Sequence, residues 1–218
     1  MENVILIGAG GHCKVVMDIL SHSKSYNIYG VTDSDPSKIG TFFNGVQVVG
    51  NDDFLKDAFD AGVRNAFLSI GSTGNNMLRR KLFDKAQRIG FNFINAIHPS
   101  AIISDKAILG MGTAVMAGAV VNIEAVIGRN CVLNTGCIIE HEANIGDNVF
   151  IAPGCILAGN VHVGCDTFIG LGAKIIQNVN IGSNVLIGAG SVITSDIPDN
   201  SVVYGVPGKV VKYRNNEC

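Results

Sequence analysis

The chain has 218 residues with 16 basic and 18 acidic side chains, a net charge of −2, so it lacks the surplus of Lys and Arg that phosphate-backbone recognition requires. Apolar residues make up 47% but aromatics only 6%, Trp is absent and Gly occurs 27 times, which predicts a core of small aliphatics and glycines. No apolar run approaches the ~20 residues that span a bilayer, and Met1-Glu2-Asn3 is no basic leader, so a soluble, cytoplasmic protein is expected, with neither membrane insertion nor nucleic-acid binding.

Residues 3–7, apolar from Val4 to Ile7, read as a buried strand, and Gly8-Ala9-Gly10-Gly11 as the turn into a helix over 12–21. A strand at 27–32, a hairpin around Asn44-Gly45, a helix at 52–61, a strand at 66–70, a helix at 75–89 and a strand at 91–97 follow. This alternation predicts a small α/β, Rossmann-like domain over 1–96, with ligands at the carboxyl ends of its parallel strands. Gly8-x-Gly10 matches a dinucleotide fingerprint only in part, because Cys13 stands where a third small residue belongs. The backbone N–H groups of the turn nevertheless suit a phosphate, and Asp33, ending the second strand, is placed to reach a ribose or base.

The second half repeats with a period of six. An aliphatic residue occupies every sixth position from Ile97 to Ile193, including Ile127, Leu133, Ile139, Ile145 and Ile151. Such a run is the mark of a solenoid, whose short parallel strands stack coil on coil. Four residues after each aliphatic comes a small or β-branched one, which puts Cys131, Cys137 and Cys155 in core slots. The remaining cysteines, Cys13, Cys165 and Cys218, show no CxxC or Cys/His ligand spacing, so reduced thiols and no metal are expected. Glycine often follows the aliphatic, as at Gly110, Gly128, Gly146, Gly164, Gly170, Gly182 and Gly188, where a tight corner is expected to favour a residue without Cβ. The period breaks at 196–201.

The hexads resemble those of the hexapeptide-repeat acyltransferases, and end to end the chain resembles one subfamily of them. This comprises the bacterial sugar O- and N-acyltransferases associated with sialic acid O-acetylation and with 4-amino-nucleotide-sugar N-acetylation (NeuD/PglD-type). The residues carrying the resemblance are Ile7-Gly8-Ala9-Gly10-Gly11-His12-Cys13-Lys14-Val15-Val16, Val31-Thr32-Asp33, Ile70-Gly71 with Arg79, Asn134-Thr135-Gly136-Cys137-Ile138-Ile139-Glu140-His141-Glu142, and Ala152-Pro153-Gly154. The resemblance implies a left-handed parallel β-helix over 97–218, triangular in section, with 18 residues per coil and a C-terminal cap. It further implies a homotrimer, a nucleotide sugar or sialic acid as acceptor in the N-terminal domain, and acetyl-CoA as cosubstrate between adjacent solenoids.

Acyl transfer from a thioester needs a base for the acceptor's proton. His141 is the third residue of the hexad that begins at Ile139, so its side chain should leave the core, stacked between Ile123 and Gly159 at the coil spacing. Glu140 and Glu142 flank it and either carboxylate suits the ring. The resemblance makes His141 the base, Glu140, Glu142 and Asn134 its supports, and Gly10, Gly11, His12, Asp33, Ser34 and Gly71 the sugar site. It lays acetyl-CoA along Phe150, Gly154, Gly170-Leu171-Gly172 and Ala189, with Lys209 toward a CoA phosphate. Some relatives carry a second histidine nine residues after the base, where this chain has Phe150. His98 before Pro99 reads as a turn residue, and His22 and His162 as surface residues; His98, His141 and His162 lack the ligand spacing of a solenoid carbonic anhydrase. Two other functions compete: a serine O-acetyltransferase-like enzyme, whose N-terminal domain would be helical, and a non-catalytic nucleotide-sugar-binding scaffold, which needs no base at position 141.

Overall fold

The computed structural model describes residues 1–214, which form two compact units: Met1–Gly71 with Leu78–Ala96, and Ser72–Met77 with the chain from Ile97 onward. The expected cut at residue 96 therefore leaves out one detail, since the short segment 72–77 groups with the second unit.

The first unit runs β1 (Glu2–Ile7), α1 (Gly11–Ser21), β2 (Tyr26–Thr32), β3 (Phe42–Phe43), β4 (Val46–Gly50), α2 (Phe54–Asp60), β5 (Asn65–Leu68), α3 (Met77–Ile89) and β6 (Asn92–Phe93). Its sheet has the order β3-β4-β2-β1-β5-β6, parallel except for the β3–β4 hairpin. Asn44 and Gly45 close that hairpin with φ of +46° and +80°, the left-handed pair its tight turn requires. Val4 to Ile7 are fully buried, as befits a parallel strand covered on both faces. Residues 91–97 are not one strand: pairing with β5 stops after Ile94, and a separate two-residue strand follows at Ala96–Ile97. The order of connection reverses between β1 and β5, which makes the carboxyl ends of these two strands the switch point of the sheet.

The second unit is a parallel β-helix of two-residue strands with three faces. Each face can be named by one strand: the Ala114 face (Ala114–Val115, Val132–Leu133, Phe150–Ile151, Phe168–Ile169, Leu186–Ile187), the Ile138 face, running from Ile102–Ile103 to Val192–Ile193, and the Asn144 face, running from Ile108–Leu109 to Asn180–Ile181. Partners along a face are 18 residues apart, as in Ile138 opposite Ile156. The aliphatic of each hexad is the second residue of its strand and points inward; from Val115 to Ile193 all are buried, whereas Ile97 on the first coil is 41% exposed. Each such side chain contributes about 1.5–3 kcal/mol by leaving water. Cys131, Cys137 and Cys155 are fully buried in the slots expected for them, and burial pushes the Cys137 thiol up to about 12 and that of Cys155 to about 11.

The corners correct one expectation. Every sixth residue from Gly112 to Gly190 is left-handed, with φ between +54° and +73°, and Asn, Glu, Asp and Gly share this position. The glycines that directly follow the inward aliphatics are not left-handed. They are small because the neighbouring coil runs against them: a Cβ on Gly110, Gly146 or Gly164 would meet its backbone at 2.5–2.8 Å.

Segment 72–77 is held by Asn76, fully buried, whose side-chain amide donates to the carbonyls of Asn148 (2.9 Å) and Thr167 (3.1 Å). Past Asp196 the last turn is two residues short, so Asn184 bonds Asn200 at a spacing of 16 where Asn130 bonds Asn148 at 18. The chain then closes the Ala114 face with the hairpin Ser201–Gly205 and Gly208–Tyr213.

Candidate active site

In the first unit the proposed sugar residues gather at the switch point. Gly8, at φ +106°, turns the chain out of β1, and the Ile70 side chain fills the place a Cβ would take, so no other residue fits. Ser69 fastens the two strand ends together, donating its hydroxyl to the Ile7 (3.0 Å) and Gly8 (2.8 Å) carbonyls. Gly10 caps α1 with no side-chain bond, no acidic residue lies in the first turn, and nothing stands within 4 Å of where a Cβ of Gly10 or Gly11 would be. The first turn therefore has no side-chain cap and no acidic residue at the positive end of the helix. His12 follows, its Cβ 3.6 Å from the Cβ position of Gly71; burial of its ring, then the nearby Arg79 charge, push its pKa down to about 3. Its imidazole is neutral throughout the physiological range.

Asp33 does something other than reach outward. Its Oδ2 accepts from the Ala9 N–H (3.0 Å) and the Lys38 ammonium (2.9 Å), while Oδ1 accepts from the Asp35 N–H (2.9 Å). Burial alone would raise its pKa; these donors outweigh it and hold the carboxyl below its ordinary value. Asp33 is thus a staple of the glycine turn, with exposed Ser34 beside it. Lys38, which spans Asp33 and the Ala9 carbonyl (3.3 Å), was not legible as part of this group, being five residues beyond Asp33.

In the solenoid, His141 is the middle residue of the corner between the Ile138 and Asn144 faces, exposed, with its ring over Gly159. The Asn160 N–H bonds the His141 carbonyl (2.9 Å) and the Glu142 N–H that of Ile123 (3.1 Å), the coil register expected. Nδ1 lies 2.9 Å from Glu142 Oε2; a carboxylate only accepts, so Nδ1 donates and the lone pair is on Nε2. Glu140 is engaged elsewhere, accepting from Asn122 Nδ2 at 2.9 Å, one coil away. Asn122 was not singled out by sequence reasoning, although the 18-residue period points to it.

Asn134 is not beside His141 in this chain. It opens the next corner back along the coil, between the Ala114 and Ile138 faces, and its Oδ1 accepts from its neighbour Thr135's N–H (2.8 Å). The same corner carries Gly154, Gly170, Leu171, Gly172 and Ala189. Gly154 and Gly172 have open space before them, as do Gly118, Gly136 and Gly190 in the same column, whereas a Cβ on Gly170 would strike Ile187 O at 2.6 Å. Glycine alone fills this left-handed column, whereas on the other corners the equivalent place is taken by Asn, Asp or Glu at every coil but the one with Gly112. Phe150 is not on the corner: it is 5% exposed on the Ala114 face, stacked on Phe168 with ring centroids 5.4 Å apart. Lys209 is the cross-strand partner of Tyr204, whose ring covers Gly188 at the end of the glycine corner. Of the other histidines, His98 Nδ1 accepts from the Ser100 N–H (3.0 Å) and does serve a turn, and His22 bonds the Asp18 carbonyl near the end of α1. Among the described residues no group of three or more His, Cys, Asp or Glu is arranged to hold a metal ion, and no helix is long and apolar enough to cross a membrane.

Comparison with known proteins gives two family matches: residues 3–86 to the PglD N-terminal domain and residues 124–159 to the bacterial transferase hexapeptide (six repeats). A UDP-N-acetylbacillosamine N-acetyltransferase of Bacillus subtilis is 34% identical over 120 residues, 54% of this chain and 52% of that protein, so the match spans about half of that relative's length. A crystal structure of the H141N mutant of perosamine N-acetyltransferase from Caulobacter crescentus, in complex with CoA and GDP-perosamine, is 39% identical, with a TM-score of 0.91 over 97% of this chain and 98% of that one. The acetyltransferase domain of PglB from Neisseria gonorrhoeae, in complex with acetyl coenzyme A, is 35% identical, with a TM-score of 0.88 over 96% and 99% of the two chains.

Proposed function

Since this chain belongs to the sialic acid O-acetyltransferase (NeuD/PglD-type) family of hexapeptide-repeat sugar acyltransferases, we propose that it moves the acetyl group of acetyl-CoA to the amino group of a nucleotide-linked sugar, with His141 as general base. The observation that carries this reading is the His141 corner. An exposed imidazole is oriented by Glu142 through Nδ1, and its basic Nε2 lies over a residue with no side chain. The acceptor nitrogen attacks the thioester carbonyl while Nε2 takes its proton. The C–S bond then breaks and the imidazolium returns that proton to the departing thiolate, which restores the base. Glu142 stabilises the imidazolium between the two transfers. The bound CoA and GDP-perosamine in complexes with H141 variants of the Caulobacter crescentus protein support both the pair of substrates and the histidine.

The nucleotide sugar occupies the 1–96 domain, where the first turn of α1, uncapped by a side chain, suits a phosphate, and the transfer takes place on the 97–218 domain; residues 215–218 lie outside the described structure. The pantetheine arm lies along the open glycine column at Gly154 and Gly172, and Lys209 meets a CoA phosphate as a point charge. The enzyme is a homotrimer in the cytoplasm, where acetyl-CoA is made and the five described cysteines stay reduced.

Replacing His141 by Ala should lower kcat by about a hundredfold or more with the fold intact. With an amine acceptor, the variant's kcat/KM should climb as pH rises, because bulk water removes the ammonium proton that His141 no longer clears. The measurement is kcat/KM against pH for both proteins, with the acceptor found by a thermal-shift screen of UDP-, GDP- and CMP-sugars with and without CoA. A folded variant that turns over at the wild-type rate throughout removes His141 from the mechanism.

A further inference from the structure

We infer that Gly159 is a positioning residue for this reaction: the absence of a side chain there is the seat on which the His141 ring lies. The inference rests on the reading of His141 as the base. Middle residues of this corner stack as Asp105, Ile123, His141, Gly159 and Gln177, so one position in the column lacks a side chain, and it is the one immediately after the histidine. A Cβ built on Gly159 would stand 2.5 Å from Cε1, 2.6 Å from Nε2 and 3.2 Å from Nδ1 of His141, so this edge of the imidazole lies closer than van der Waals contact with a methyl group allows. Contacts under 3.0 Å are not sustained by real Cβ atoms, so one side must yield.

The backbone is not the side that yields. The Asn160 N–H donates to His141 O (2.9 Å) and the Asn178 N–H to Gly159 O (3.1 Å), which pins residue 159 between two coils. Nor does the backbone itself demand glycine: Gly159 is absent from the left-handed residues, so alanine suits its conformation. What alanine would displace is the ring. The 2.9 Å bond that holds the ring, from Nδ1 to Glu142, would stretch or break as the ring tips away. The proton acceptor Nε2 would then leave its place by about an ångström, a displacement that costs roughly a hundredfold in a reaction depending on near-attack geometry.

The test is Gly159→Ala in the full-length protein, assayed with acetyl-CoA and the amino-sugar nucleotide from the screen. The expected result is a 10- to 100-fold lower kcat, KM for both substrates within twofold of wild type, and a shifted imidazole resonance of His141 in the NMR spectrum of histidine-labelled protein. In a His141→Ala background, Gly159→Ala should cause no further loss. A Gly159→Ala enzyme within twofold of wild-type kcat, when His141→Ala alone is severely impaired, overturns the inference and leaves the base in place; an unimpaired His141→Ala defeats both. If Gly159→Ala folds poorly, the melting temperature decides: the seat requires that the double variant melt no lower than His141→Ala alone, and an equal drop in both backgrounds overturns it.

Discussion

Glu142 holds the imidazole from a left-handed backbone position, φ +60°, which a side chain of its type adopts at about 1 kcal/mol. That conformation turns its carboxylate alongside the ring of the preceding residue, which an extended backbone would send the other way. Glu140, equally close in sequence, has an ordinary backbone and spends its carboxylate on Asn122. The two glutamates are thus not equivalent, although the sequence flanks the histidine with both. Glu142→Gln should lower kcat about tenfold, because an amide orients the ring but does not stabilise its cation, while Glu140→Gln should cost less than threefold. Steady-state kinetics of the two variants separates them, and a larger loss in Glu140→Gln would show that the wrong carboxylate has been assigned to the ring.

At the scale of the corner, two sets of glycines look alike in sequence and differ in cause. Gly170 faces the next coil and Gly172 faces open space, two residues away. Gly170→Ala should overpack the solenoid by about 1–3 kcal/mol and lower the melting temperature by several degrees. Gly172→Asn should melt within about 2 °C of wild type, since Asn130 and Asn148 already sit at φ +54° and +60° on another corner. The same variant should weaken CoA binding in calorimetry if the open column is the track of the cofactor arm. Unchanged CoA affinity would move the cofactor off this corner. The period of six places every residue on a face or corner, but it carries no information on whether a corner is met by its own chain or by something else.

At the scale of the whole solenoid, the base and the glycine column lie on different corners, with the Ile138 face between them. One chain does not bring the two together, whereas a second copy presenting its glycine corner to the first copy's histidine would. The intervening face carries Ile102 at 67% and Ile156 at 36% exposure, and Ile123 beside it is 41% exposed, which is apolar surface suited to such a contact. A threefold arrangement closes this heterologous contact on itself. Light scattering should therefore give three times the chain mass at micromolar concentration. A fully active monomer would require base and cofactor track to meet within one chain and would defeat the proposed site.

The amino-acid sequence by itself determined the periodic part: strands every six residues, coils of eighteen, which side chains turn inward, and that His141 falls against Gly159. These follow from near-neighbour repetition, which arithmetic alone extends along the chain. It also marked the parallel sheet of the first unit and the turn at Gly8. Only the tertiary structure decided that Asp33 staples the glycine turn instead of facing outward, that Glu142 and not Glu140 grips the histidine, that Asn134 belongs to another corner, and that segment 72–77 joins the solenoid. Each of these depends on which of several nearby hydrogen-bonding groups a side chain reaches, and that choice is made by rotamers and by chain segments remote in sequence, which no local pattern records.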